Sequence, residues 1–369
     1  VTDQPGITEI DAPAVNDPAD EVDPREWYTA QIAQGVERFL EPRAETCSWC
    51  GSTALDLHLT SSDIRQGKPG TFTLDKCADC GHVFQNPRLS PEGLNFYYRD
   101  AYDGLNSEKA EHNFNTLRPF YRARAELVRD VRPDVPRKWL DIGGGYGHFC
   151  EEGQAVFPET GFTMLDMSSG VAEAVRRGRV EHGINGFLLD HADEVAGKFD
   201  QVSMFHYLEH TQNPLAEIDA AIGAMTPDGW LTIEQPNPEC RGTRLFRSWW
   251  VGWLQPEHLN MVTLGNLVEA LTERGLEVVT VQKREARMPL EFFSFLTILM
   301  RFVAPDPDLP WVTVRFRRLA KIRRLFAMAL IGPMVVLVAP IVDRFILERV
   351  IPSDVHYRVV ARRPGGNRP

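Results

Sequence analysis

The sequence predicts an α/β fold built on a doubly wound, mostly parallel sheet, and three observations carry that expectation. The first is the stretch Trp139-Leu-Asp-Ile-Gly-Gly-Gly-Tyr-Gly-His-Phe149, a short apolar run that ends in glycines at 143, 144, 145 and 147. It reads as a buried strand, a tight turn and the start of a helix, with a backbone on which a ligand can lie directly. The second is the alternation of strand-length and helix-length apolar segments from residue 138 onward. The third is the carboxylate that closes each of the first expected strands, at Asp141, Asp166 and Asp190. Strand ends in such a sheet face a common ligand crevice.

At 369 residues the chain has room for about two domains, and 43% hydrophobic with 25% charged residues is a globular composition. A net charge of −11 argues against a nucleic-acid binder, which neutralises phosphates with Lys and Arg. The charge is uneven. From Ala286 to the end there are 14 Lys/Arg against 6 Asp/Glu, a net of +8, so the rest carries −19. Residues 1–25, rich in Asp, Glu and Pro, are expected to be a disordered acidic tail.

The span 26–100 reads as a metal-binding ribbon. Trp27, Ile32, Val36, Phe39 and Leu40 suggest a helix over 26–40, ended by Pro42. Cys47-Ser-Trp-Cys50-Gly51 and Cys77-Ala-Asp-Cys80-Gly81 then repeat one device, two thiolates on a tight turn with glycine behind them. Two such knuckles make a closed four-cysteine site suited to structural zinc. With no secretory signal ahead of them, a reducing cytoplasmic compartment is expected. Strand-like pieces at 55–59 and 71–74 lie between the pairs, and His82 is expected at the surface beside the second knuckle. Tyr97, Tyr98 and Tyr102 either pack an aromatic helix or close over a ligand. Linking helices fill 101–136, chiefly an amphipathic one over 112–131, which Arg-Pro-Asp-Val-Pro breaks at 132–136.

The main domain is expected over 137–285 and 356–363. Its strands are placed at 138–142, 161–165, 186–189, 199–205, 230–234, 276–282 and 356–363. Its helices are placed at 149–156, 170–182, 214–224 and 264–274, with a turn at Pro227-Asp-Gly229.

Two features of the glycine loop narrow its ligand. Asp141 sits just ahead of it, where a pyrophosphate would be repelled and an ammonium held. Asp166 lies where a carboxylate can bond both hydroxyls of a ribose. The ligand implied is a nucleoside carrying a cationic amino acid.

With these residues the chain resembles a class I S-adenosylmethionine-dependent methyltransferase. The likeness rests on Leu140-Asp-Ile-Gly-Gly-Gly-Tyr-Gly147, Met164-Leu-Asp-Met-Ser168, Phe199-Asp-Gln-Val202, Tyr207-Leu-Glu-His210, the run from Pro227 to Asn237, and His258-Leu-Asn-Met-Val-Thr263. The four-cysteine ribbon is similar to that of bacterial members acting on sugars and other secondary metabolites. The resemblance implies a Rossmann-like seven-stranded methyltransferase sheet, with S-adenosylmethionine as cofactor and structural zinc on Cys47, Cys50, Cys77 and Cys80. It implies that Gly143, Gly145 and Gly147 line the methionine part, with Asp141 near its ammonium. Asp166 would bind the ribose, Met167 the adenine face and Asp190 the adenine amine, while Phe205 or His206 would border the sulfonium.

Methyl transfer needs an aligned acceptor and, for a hydroxyl or an acidic carbon, a proton acceptor. Candidates are His206, Glu209, His210 and His258, with His258 preferred because an imidazole titrates near neutral pH. Glu209-His210 serves equally well as a structural cap, and His258 as a loop brace.

Residues 286–355 interrupt the last hairpin of the sheet as a helical insertion. They hold six basic residues within 315–324 and then Leu325–Val342, eighteen residues without a charge. Because the following strand must return to the same sheet, a single crossing is excluded, and Pro333 and Pro340 suggest a broken or re-entrant pair. A monotopic contact of 286–352 with the cytoplasmic face of a membrane is one expectation, and a substrate cap or dimer interface the other. The function expected is methylation of a small-molecule or lipid-linked acceptor, such as a sugar or glycolipid. The alternatives are an RNA methyltransferase and a silent binding protein on the same fold.

Overall fold

A computed structural model of the chain describes residues 22–99, 107–283, 290–347, 349 and 354–364. Most of the expected acidic tail, and Tyr102, lie outside the described residues. Eleven strands among them form two sheets. The smaller is antiparallel, in the order β1 (Leu55–Ser61), β2 (Phe72–Cys77), β3 (Val83–Gln85) and β9 (Asn260–Met261). The larger has seven strands. Here β4 (Lys138–Ile142), β5 (Gly161–Asp166), β6 (His182–Asn185), β7 (Phe199–Phe205) and β8 (Met225–Pro236) run parallel. Between β8 and β10 (Glu277–Gln282) lies β11 (His356–Arg362), antiparallel to both.

Strands covered on both faces must be apolar on both, and β4 and β5 are. Trp139, Phe162 and Met164 pack with Phe149 and Val128 on one side. Leu140, Ile142 and Leu165 pack with Val202, Ile218 and Leu267 on the other. The order of strands reverses between β5–β4 and β4–β7, so the crevice of the fold opens at the carboxyl ends of β4 and β7.

Several expectations are corrected. The third strand is His182–Asn185, not 186–189, because the Gly186 amide closes the ladder on the Asp166 carbonyl. Phe187 to Asp190 then leave the sheet, and a 3-10 turn over Leu188–His191 buries Leu188 alone. The preceding helix stops at Arg176. The turn at Pro227–Gly229 is a bulge within β8, since Met225 pairs with Phe199 and Trp230 with Gln201. The helix expected over 26–40 is a helix at Pro24–Ala33 and a 3-10 turn at Glu37–Phe39, divided by amides of Gln34 and Gly35 that bond back to Gln31 and Ile32.

The ribbon and the main sheet are not separate units. Met261 pairs with Val83 and Asn260 with Phe84, so a strand from the region assigned to the main domain completes the ribbon sheet. His82 is fully buried instead of superficial, stacked on Phe84 at 5.6 Å. Tyr97 is a packing residue at 1% exposure, whereas the Tyr98 hydroxyl donates to the Glu257 carbonyl at 2.8 Å.

The apolar run of the insertion, Leu325–Val342, is also unbroken. A helix over Glu291–Val303 packs beside a single helix of 31 residues, Arg317–Leu347. Pro333 and Pro340 do not divide it, because π-helical stretches at Met334–Val338 and Val342–Leu347 absorb the displaced carbonyls. Buried Asp343 accepts the Phe292 and Phe293 amides at 2.8 and 3.0 Å, capping the shorter helix from the longer one.

Candidate functional site

The glycine loop leaves β4 and is tied to β5 at two points. The Gly143 amide donates to the Leu165 carbonyl, and the Gly145 amide to Asp166 Oδ2, both at 2.8 Å. Gly145 has φ +57°, and a Cβ there would meet nothing within 4 Å, so the loop offers bare backbone to the crevice. Gly147 begins the helix His148–Val156. Asp166 Oδ1 accepts the Ser168 amide at 2.8 Å, and the carboxylate has further lone pairs for hydroxyl donors. Met167, Phe187 and Leu189, which follow the paired ends of β5 and β6, are 56%, 54% and 45% exposed, apolar groups of the kind a flat base packs on, and Asp190 is exposed as well. These residues fit the nucleoside and amino-acid halves of S-adenosylmethionine.

Asp141 is buried at the end of β4. Ser203 Oγ donates to its Oδ1 at 2.6 Å and itself receives the Trp139 indole N–H at 2.8 Å. Burial pushes the Asp141 carboxyl up to about 7, with the Ser203 bond and the Arg124 charge opposing. A cationic amino group beside it would draw the carboxyl back to its ionised form. Phe205 is 6% exposed, its ring packed on Phe149 at 4.6 Å and under the Arg124 guanidinium at 4.7 Å. The next residue, His206, is the more open of the two, with 32% of its side chain exposed.

His206 occupies the left-handed region at φ 55°, a conformation that a non-glycine residue keeps only when its surroundings hold it. Two carboxylates do so. Its Nδ1 lies 2.9 Å from Glu209 Oε1 and its Nε2 lies 3.0 Å from Glu234 Oε1. Glu234 is in turn paired with Arg124 and Arg358. Burial alone would lower the His206 imidazole, but the two carboxylates lift it to about 9. Burial would likewise raise Glu209, and His206 overrides it and holds the carboxyl at about 2. His206 is therefore a fixed cation at neutral pH.

His258 and His210 stack edge to face, with centroids 4.7 Å apart. His258 Nδ1 lies 2.7 Å from the Gly252 carbonyl, and His210 Nδ1 lies 3.0 Å from the Glu257 carbonyl. Burial pulls His258 down to about 3. The preference for His258 as base is revised on this ground, since a nitrogen so reluctant to take a proton is a weak acceptor. Sequence reasoning missed Glu234, Arg124, Arg358 and Asn260. Only Glu234 left a signal, a lone carboxylate at the tip of a buried strand, as at Asp141 and Asp166.

Cys47 Sγ lies 3.7 Å from Cys80 Sγ and Cys50 Sγ 3.6 Å from Cys77 Sγ. Four thiolates around zinc at about 2.3 Å stand about 3.8 Å apart, so the donor set fits that ion with little adjustment. Gly51 and Gly81, at φ +76° and +74°, make the left-handed step behind each pair. With four protein donors the site is closed, as a structural one is.

The reversal of strand order, the glycine loop after β4 and the carboxylates near the ends of β4 and β5 belong to a seven-stranded, mostly parallel α/β sheet of the kind found in methyltransferases. Residues 110–281, a little under half of the chain, match the family model described as a methyltransferase domain. Two proteins named ubiquinone biosynthesis O-methyltransferase, from Vibrio campbellii and Vibrio parahaemolyticus, are each 34% identical over 130 residues. The match covers 33% of this chain and 51% of theirs, so the chain spans about half the length of the curated relatives it matches. A solved SAM dependent methyltransferase from Archaeoglobus fulgidus aligns at 15% identity and a TM-score of 0.42, over 72% of this chain and 98% of that one.

Proposed function

We propose that the protein transfers the methyl group of S-adenosylmethionine to a hydroxyl oxygen of a small acceptor, a sugar or a lipid-linked glycan or glycolipid, at a membrane surface. One observation carries the reading. β4 and β7 are paired through Ile142 and Met204, so the glycine loop and the His206–His210 turn leave the sheet side by side. The cofactor supplies a methyl group on a sulfonium. Gly143, Gly145 and Gly147 receive its methionine part, Asp141 its ammonium, Asp166 the ribose, and Met167 and Asp190 the base. His206, fixed by Glu209 and Glu234, borders the reacting centre, and the His258 loop closes the acceptor side. The oxygen acceptor agrees with the names of the two Vibrio relatives.

The helix Arg317–Leu347 supports the membrane part. It is long and apolar enough to cross a bilayer by length and composition, about 46 Å at 1.5 Å per residue, and only 17% of its most apolar stretch is buried. Its flanks stay with the globular body, however. Trp311 packs on Tyr28 at 5.2 Å ahead of it, and β11 rejoins the main sheet behind it. Lying along the surface satisfies both.

The test is incubation with methyl-labelled S-adenosylmethionine and separated lipid, sugar-nucleotide and RNA fractions, followed by mass spectrometry for one added methyl group. Label in a lipid or sugar fraction is expected. Cofactor binding with label in RNA alone would overturn the acceptor assignment.

A further inference from the structure

The His206–His258 region contains a group that hydrogen bonding leaves unsatisfied. Glu209 is fully buried, and while its Oε1 meets His206, its Oε2 has no hydrogen-bond partner. A buried carboxylate oxygen without a donor is costly, of the order of 1–3 kcal/mol or more for a charged group. Groups of this kind call for a missing ligand. The two histidines beside it face the same way chemically. Each has Nδ1 against a backbone carbonyl, Gly252 for His258 and Glu257 for His210. A carbonyl only accepts, so Nδ1 carries the proton and Nε2 is left with its lone pair. Histidines that bind metals are oriented in this way, with the far nitrogen donating to a carbonyl or carboxylate.

Glu209, His210 and His258 each bring one candidate ligand atom within 4.8 Å of the other two. Bonds of about 2.0–2.1 Å place donors on one ion roughly 3–4 Å apart, so side-chain shifts of about 1 Å would close the set. We propose that Glu209, His210 and His258 form a second metal site, separate from the four cysteines, that takes a divalent transition ion such as Zn²⁺, Mn²⁺ or Co²⁺. Two imidazoles and one carboxylate suit ions of intermediate softness, and three protein donors leave coordination positions open. His206 is the outer partner that aims the carboxylate; the ribbon holds the segment after His258 through the Gln85 amide, which donates to the Leu259 carbonyl at 2.9 Å, and the Leu259 amide donates to the Glu209 carbonyl at 2.6 Å.

The role of the open positions rests on the methyl-transfer reading, although the site itself does not. A hydroxyl bound there loses its proton to water. Its oxygen then bonds to the methyl carbon while the carbon–sulfur pair stays on sulfur, so the sulfonium becomes a neutral thioether. The ion supplies the acidification for which neither His206 nor His258 is suited.

Metal content of the full-length protein, titrated with Co²⁺ after chelation and dialysis, tests the site. Two equivalents per chain are expected, one with the intense thiolate-to-cobalt absorption and one with only weak visible bands. Glu209→Gln and His258→Gln should lose the weak-band equivalent and retain the thiolate one, and His206→Gln should weaken it about 10–100-fold. A single, thiolate-type equivalent in the wild-type protein would overturn the proposal, whether or not the variants fold. Two equivalents with bound S-adenosylmethionine, but with no hydroxyl acceptor methylated, would uphold the site and reject the methyl-transfer reading.

Discussion

His82, two residues beyond the last ribbon cysteine, lies 3.0 Å from Asn260 Oδ1, and Asn260 is two residues beyond His258. Both side chains are buried. The Asn260 amide group donates in turn to the Thr211 carbonyl at 2.6 Å, so one asparagine joins the ribbon, the His258 loop and the segment after β7. Asn260→Ala strips His82 and Thr211 of a partner at once, at a cost of about 1–3 kcal/mol of folding free energy. The damage falls on the acceptor side and spares the glycine loop. Turnover should drop about tenfold or more with the Kd for S-adenosylmethionine unchanged, as steady-state kinetics and calorimetry would show. Unaltered kcat in a folded variant would mean that ribbon docking does not organise the site.

Asp166 braces the loop that it is proposed to serve. Its two oxygens hold the Gly145 and Ser168 amides, and the bound ribose would add hydroxyl donors to the same carboxylate. Each charge-assisted bond contributes roughly 1.5–3 kcal/mol. Asp166→Ala should therefore raise the Kd for S-adenosylmethionine by roughly 100-fold in a calorimetric titration, and Asp166→Asn by less. An unchanged Kd would detach Asp166 from the cofactor.

Glu217 supplies the pH dependence. It is 6% exposed and accepts the Tyr207 hydroxyl at 2.9 Å. Burial raises its carboxyl to about 7 against the Tyr207 bond, with the Asp190 charge adding to the rise. Because the folded value lies above the ordinary 4.5, its stabilising effect is full below about pH 4.5 and is lost as pH rises through about 7. Urea unfolding should show Glu217→Gln gaining on the wild type by up to about 3 kcal/mol between pH 4.5 and 8.5. A constant difference across that range would refute the assignment.

The central strands were legible because burial on both faces leaves continuous apolar runs, and β4 and β7 have the limits read from sequence. The same signal misled at Gly-Phe-Leu-Leu, 186–189, where an apolar run at the sheet edge is a helical turn with two of its large residues in the open. The four cysteines and the acid-tipped strands were legible because their chemistry demands fixed spacing. Asn260-Met261 was not, since two residues carry no periodicity and their partners, Phe84 and Val83, lie about 180 positions earlier in the chain. His82 reads as polar and so as exposed. Only the pairing that buries it shows otherwise.

The long helix of the insertion makes the last prediction. Leu325, Phe326 and Leu330 are 65%, 73% and 75% exposed on a helix whose fold contacts lie elsewhere, so replacing them alters the surface and leaves the core intact. The basic stretch ahead of them is partly engaged already. Arg317 and Lys321 pair with Asp308, and Arg324 with Asp306. Hydrophobic insertion should therefore outweigh charge in any membrane binding, and burying three such side chains contributes several kcal/mol at roughly 1.5–3 kcal/mol each. Leu325→Ser/Phe326→Ser/Leu330→Ser should lose flotation with anionic liposomes, while the wild type keeps most of its binding at high salt. Binding abolished by salt alone would place the contact on Arg315, Arg318 and Arg323 instead. Wild-type protein that stays at the bottom at low salt would leave the exposed face to a second copy or to the acceptor.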